Sequence, residues 1–259
     1  MRRYIVFALL ATLSNCSIRK SPKNIPSLIK LIRISAPNFK RCFRKDPNFK
    51  KCYSEAAQFG TAQLTKAYEA LGIPNLEPLH IPFLTVRDKG GVFSVDQIFK
   101  NCNLSGLTTL KFDQIELDLE KKSLFADGVI PKVEFKCQYE LNGKVLLLPI
   151  KGEGDSNITF INFHANYRSF YDEVVRNDKT YFKTVKSELD SSAERWYFHF
   201  DNLFNGNKEL GDNINLVMND NWKEIADELQ PEYNEIVRQI LEGIFEKIWT
   251  KTSLEEFFD

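Results

Sequence analysis

"KVEFKCQYELNGKVLLLPI", residues 132–150, decides how this chain is read. Val133, Phe135, Cys137, Tyr139 and Leu141 fall on one side, and Lys132, Glu134, Lys136, Gln138 and Glu140 on the other. That two-residue period is the mark of a half-buried strand. Asn142-Gly143 is the preferred dipeptide of a tight hairpin, so the spacing predicts a turn there and an antiparallel return through "KVLLLPI". Gly152 and Gly154 in the following "IKGEGD" predict a strand end or a bulge.

The same period extends in both directions. "FDQIELDL" (112–119) and "ERWYFHFD" (194–201) read as strands, the latter with Trp196, Phe198 and Phe200 alternating with Tyr197 and His199. In "NITFINFHANY", Ile158 and Phe160 share one parity while Ile161, Phe163, Ala165 and Tyr167 share the other. Such a slip predicts a bulge or strong bend, as in a curved sheet. From Val92 to about Phe200 the chain therefore reads as a long antiparallel meander.

Helical patterns flank it. Ser54 to Leu71 places Ala57, Leu64, Ala67, Tyr68 and Leu71 near one face, with Gly72 as a left-handed cap and Pro74 blocking continuation. Near the end, an apolar stripe from Trp222 to Trp249 spans more than seven helical turns. Asp220 is the expected N-cap, and Pro231 predicts a kink or break. A stripe this wide needs covering on more than one side. The expected fold is α+β, a long C-terminal helix wrapped by a highly curved antiparallel sheet.

Composition narrows the function. "MRRYIVFALLATLSNCS" has the form of a secretory signal peptide, so residues 1–17 are expected to be a leader and 18–259 a single domain. No segment reads as a membrane span. Charge is balanced at 35 basic and 35 acidic residues. The basic stretch from Arg19 to Lys51 lacks the interleaved aromatics of a nucleic-acid surface and reads as a solvated face. Beyond Cys16 stand Cys42, Cys52, Cys102 and Cys137, which in an oxidising compartment permit three pairings, the sequence-local one being the most economical. His80, His164 and His199 are too scattered for a zinc site. Nucleophile-elbow, zincin, Walker and dinucleotide motifs do not occur. No catalytic residue, cofactor or metal is expected.

Several stretches, taken in order, resemble one family. "CFRKDPNFKKC" (42–52), "GIPNLEPLHIP" (72–82), "LSGL" (104–107), "YELNGKVLLLPIKGEG" (139–154), "LFNGNKELGDNINLVMNDNW" (203–222) and the closing helix are similar to the takeout and juvenile-hormone-binding proteins of insects, in the tubular lipid-binding superfamily. The resemblance implies an elongated hydrophobic tunnel between sheet and helix. It also implies a secreted, extracellular carrier in haemolymph or chemosensory fluid, linked to feeding, circadian or chemosensory physiology. The implied ligand is juvenile hormone, a terpenoid or a fatty-acid-like lipid. Cys42 and Cys52 match the family's N-terminal disulfide. Cys102 and Cys137 lie earlier than the second disulfide of the hormone carriers, and their strand placement predicts that they pair across neighbouring strands.

The expected ligand-lining residues, from face and placement, are Tyr167, Trp196, Phe198, Phe200, Tyr233, Ile236, Val237 and Ile240, with Tyr167 or Tyr233 supplying an orienting hydroxyl. Asn103 and Asn157 head glycosylation sequons. The alternatives to a carrier are a secreted interaction module with a filled core, acting through its basic N-terminal region, and a lipid-processing enzyme.

Overall fold

A computed structural model describes residues 40–69, 71–87 and 90–259. The expected signal peptide lies outside the described residues. Helix α1 (Phe49–Gln63) leads into strands β1 (Leu79–Val86), β2 (Phe93–Ser105), β3 (Lys111–Asp118), β4 (Ser123–Val145), β5 (Leu148–Arg176) and β6 (Lys179–Phe200). The short turn α2 (Leu203–Gly206), helix α3 (Lys208–Asp220), the long helix α4 (Trp222–Lys251) and α5 (Leu254–Phe258) complete the chain.

The strand through residues 132–141 is present but much longer than its clean alternation suggests, because β4 runs for 23 residues and pairs with β5 along its length. The hairpin turn is not at Asn142-Gly143. Those residues pair with Lys151 and Ile150 inside the ladder, and the chain reverses at Leu146 and Leu147, both left-handed at φ 48° and 75°. Gly143 serves a different need. A Cβ there would lie 2.1 Å from the Ser94 carbonyl oxygen and 2.7 Å from Val95 Cα on β2, so the sequence reserves glycine for a close backbone approach. Gly143→Ala is accordingly expected to destabilise the fold by about 1–3 kcal/mol, through backbone that cannot rotate away. An unchanged urea midpoint would contradict that reading. Gly152 and Gly154 likewise lie within β5 and do not end it.

The parity slip around residue 161 has an unexpected origin. No bulge occurs there, since Lys132↔Ile161 and Ile130↔Phe163 keep one register, as do Ile161↔Arg195 and Phe163↔Ala193. A single left-handed residue, Asn162 at φ 46°, sits in the middle. Burial passes from Ile158 and Phe160 to Tyr167 and Tyr171 across it, and from Val133 back to Ile130 on β4. The slip thus switches the buried parity without breaking the ladder.

That correction bears on the sheet as a whole. The expectation of a highly curved sheet wrapped around the helix is not met. The sheet is open and not strongly curled, in the order β1-β2-β4-β5-β6 with β3 paired to β4, and β1 and β6 do not meet. The free edge of β6 is occupied by side chains instead. Asn215 Oδ1 accepts from the Phe200 N–H at 3.0 Å while its Nδ2 donates to Phe200 O at 3.0 Å, and Asn219 does the same for Phe198 at 3.0 and 2.7 Å. Further along, Glu246 and Glu255 accept from the N–H groups of Thr184 and Thr180. Side-chain amides and carboxylates from α3, α4 and α5 satisfy the edge that roll-up would have paired with β1.

Helix α1 begins five residues before the predicted start and ends at Gln63, well before Leu71. Gly72, at φ 71°, belongs to a turn closed by a Tyr68–Ile73 bridge and does not cap the helix. Gln58 holds α1 to the sheet by pairing with the Phe112 N–H and Leu110 O, both at 2.9 Å. Helix α4 runs uninterrupted for 30 residues through Pro231, about 45 Å. Its N-cap is Asn221, one residue past the expected Asp220, which closes α3.

Two apolar clusters fill the fold. One joins the β2, β4, β5 and β6 faces (Phe99, Phe135, Phe160, Trp196, Phe198) to Met218, Ile225 and Leu229. The other gathers Cys42, Phe49, Leu124, Tyr167, Tyr171 and Phe182 with Trp249, Leu254 and Phe258. Helix α4 lends its first half to one and its last turns to the other.

Candidate functional site

Where α4 crosses from one cluster to the other, its apolar face is incompletely packed. Tyr233, Ile236, Val237 and Ile240 are only partly buried, and they face a hollow of about 80 Å³. The opposite wall is built from Ile81 and Leu84 of β1, Leu104 of β2, Ile130, Val133 and Phe135 of β4, and Phe160 and Phe163 of β5. Leu107 and Trp196 complete the apolar surface, with Ser191 and Gln230 as its polar members. The volume exceeds several times the ~10–15 Å³ that one water needs, and apolar hollows of this kind stay dry.

One wall is a chain of rings. Phe163 meets Phe160 edge-on at 5.9 Å, Phe160 meets Trp196 at 4.7 Å, and Trp196 meets Tyr233 at 5.6 Å, all near perpendicular. Burial pushes the Tyr233 hydroxyl pKa up, so it remains a donor. It reaches Gln97 Oε1 over 3.4 Å.

Trp196, Tyr233, Ile236, Val237 and Ile240 among the expected lining residues are brought together here. Phe198 and Phe200 are buried on the same strand but closer to α3, with Phe200 edge-on to Tyr139 at 4.9 Å. Tyr167 belongs to the second cluster, stacked on Phe245 at 5.6 Å, and its hydroxyl makes no hydrogen bond. The contributions of β1, of Leu104 and Leu107, and of Ile130 were not anticipated. Strand β1 begins inside "GIPNLEPLHIPF" (72–83), whose three prolines read as an extended, stiff connector.

A larger, open cleft of about 470 Å³ lies over the same part of α4, lined by Leu189, Asp190, Asp227, Pro231, Glu235 and Arg238 among others. It shares Gln230 with the hollow, and the Ser191 hydroxyl donates to Asn234 Oδ1 at 2.5 Å beside that shared residue. Arg238 and Gln239 hold the Glu235 carboxyl down at about 2. Its size notwithstanding, this polar cleft is poorly suited to an apolar ligand.

Both disulfides form, Cys42 with Cys52 and Cys102 with Cys137. A register shift between Lys100 and Asn103 on β2, with Asn101 left-handed, brings Cys102 against Cys137 of β4. Within the basic loop 42–52, Arg44 pairs with Asp259 and holds that carboxyl below its usual range, and Lys50 pairs with Glu116; just before the loop, Lys40 pairs with Glu55 at 2.5 Å. Asp46 Oδ1 accepts from the Asn48 N–H at 2.8 Å to form the turn, and Phe49 packs edge-on against Phe258 at 5.4 Å. The loop fastens the C-terminus to α1. Of the two sequons, Asn103 is exposed, whereas Asn157 is half-buried between β4 and β6 with Thr159 buried. Among the described residues no cluster of three metal-ligating side chains occurs, and no helix is long and apolar enough to cross a membrane.

Helix α4 and the antiparallel sheet thus enclose an apolar hollow walled by aromatic and aliphatic side chains. The family model described as haemolymph juvenile hormone binding protein (JHBP) matches residues 25–259, and the chain belongs to that takeout/JHBP family. Its members are binding and carrier proteins, not enzymes. The chain is 32% identical over 140 residues to the circadian clock-controlled protein daywake of Drosophila melanogaster, covering 54% of this chain and 53% of the relative. It is 30% identical over 129 residues to daywake of Drosophila yakuba, 49% and 50% respectively. The chain thus spans about half the length of these curated relatives. Among solved structures, Takeout 1 of Epiphyas postvittana superposes with a TM-score of 0.73 over 85% of this chain and 99% of that one, at 23% identity, a likeness of fold.

Proposed function

We propose that this protein is a secreted carrier that holds an extended hydrophobic small molecule between α4 and the sheet. Juvenile hormone, a terpenoid or a fatty-acid-like lipid fits the chemistry of the wall. The observation that carries the reading is the apolar hollow under Tyr233, Ile236, Val237 and Ile240, on the stretch of α4 between the residues it buries in the two clusters. Family membership supports a carrier role, and the clock-controlled relatives support a place in circadian physiology.

The hollow accommodates only part of such a molecule, so binding enlarges it by moving flexible wall side chains such as Leu107, Ile236 and Ile240. A ligand burying about 500 Å² of apolar surface gains roughly 12 kcal/mol gross, reduced by ordering costs. The balance leaves ample room for micromolar to nanomolar affinity. Val237→Phe fills the hollow from the helix side. Its expected effect is a loss of more than about tenfold in affinity for a fluorescent fatty ligand, with the melting temperature nearly unchanged. Unaltered affinity in a folded Val237→Phe protein would place binding elsewhere.

A further inference from the structure

Strand β2 buries Phe93, Val95, Gln97 and Phe99 in alternation, so one amide interrupts an apolar face. Gln97 is 2% exposed and its Nε2 has no hydrogen-bond partner. Its cross-strand neighbours are Val86 and Leu141, neither of which offers a side-chain acceptor. Its Oε1 receives only the long 3.4 Å bond from Tyr233, itself part of the cavity wall. A buried donor left unpaired weakens a fold, and a leucine in its place would pack against the same neighbours without that penalty. The amide gives the fold only that one long bond and leaves its Nε2 donor unspent, a donor that a ligand would use.

We propose that Gln97 Nε2 and the Tyr233 hydroxyl form a polar anchor for bound ligand, selecting hydrophobic molecules that carry a neutral hydrogen-bond acceptor, an ester or ketone, over hydrocarbons and over ionised fatty acids. This rests on the carrier reading above. Tyr233 lines the hollow, and Gln97 stands outside the lining within hydrogen-bond reach of its hydroxyl, so both donors meet one acceptor oxygen, which has lone pairs for two, once bound ligand opens the wall between them. The long bond between them leaves the hydroxyl free to turn toward a better acceptor. Selection against a carboxylate follows from the wall itself, which contains no Lys, Arg or His to pair with a desolvated charge.

The test is displacement of N-phenyl-1-naphthylamine, a neutral fluorescent probe, by methyl dodecanoate, by tetradecane and by dodecanoate at pH 8. The wild-type chain is expected to prefer the ester over both others by about tenfold. Gln97→Leu is expected to bring ester and alkane within about threefold of each other while leaving alkane affinity intact. Its melting temperature should stay close to that of the wild type, because the substitution removes an unpaired donor together with one long bond. Tyr233→Phe should reduce the preference partially. Should Gln97→Leu fail to fold, Gln97→Met reads the same ratio with a side chain of similar length. An ester preference that survives loss of the amide, or a wild-type protein that binds ester and alkane alike, overturns the anchor and leaves the carrier standing. If neither the probe nor any competitor binds the wild type, the carrier reading fails and the anchor with it.

Discussion

Trp249→Ala is expected to remove about 3–5 kcal/mol of stability, the range for truncating a large buried aromatic. Trp249 is 3% exposed at the end of α4. Its indole meets Tyr171 at 5.6 Å, Phe182 at 5.4 Å, Phe257 at 5.6 Å and Phe245 at 6.5 Å. Strands β5 and β6, helix α4 and the C-terminal α5 therefore all lean on one side chain. For a domain of this size the loss corresponds to a fall of roughly 6–20 °C in melting temperature. Because the indole Nε1 makes no hydrogen bond, Trp249→Phe forfeits packing alone and should cost clearly less. Equal costs for the two substitutions, or a loss below about 1 kcal/mol for alanine, would contradict the role given to the second cluster.

Replacing Cys102 and Cys137 together by alanine is expected to cost about 2–4 kcal/mol. The bridge spans a sequence separation of 35 and ties β2 to β4 where the β2 register shifts. Cys102 is fully buried, so the bridge also sits in the apolar core. The Cys42–Cys52 bridge closes a separation of only 10, and the same chain-entropy argument gives it the smaller effect. Denaturant titration of the two double-alanine proteins ranks them. A Cys102/Cys137 pair whose loss costs less than that of Cys42/Cys52 would show that native contacts, and not loop closure, set the contribution.

What the sequence disclosed, and what it hid, follow from where the informative contacts lie. Alternation along 132–141 and 194–201 disclosed the strands, because each side chain there reports which face it occupies. The α4 stripe disclosed the helix, and four of its apolar residues do line the hollow. The hairpin turn was hidden because two leucines carry it, while the Asn-Gly dipeptide that signals a turn is committed to a close approach by β2. Helix α3 was hidden by its asparagines and glycine, weak helix formers whose amides are retained to occupy the β6 edge.

A highly curved sheet was inferred from the width of the α4 stripe and from the parity slip, but at the slip one left-handed asparagine switches the buried parity within an unbroken register. Only long-range contacts distinguish these outcomes, and local periodicity does not encode them. Gln97 belongs to the same category. Its burial follows from β2 alternation, but its lack of a partner depends on Val86 and Leu141 across the sheet.

The most direct measurement is native mass spectrometry of the protein secreted from insect cells, followed by organic extraction of the same sample. The carrier account predicts one reproducible hydrophobic small molecule per chain, released on denaturation and displaced by a fluorescent fatty ligand. A chain that carries no extractable molecule and shows no displacement across a panel of lipophilic ligands would contradict it.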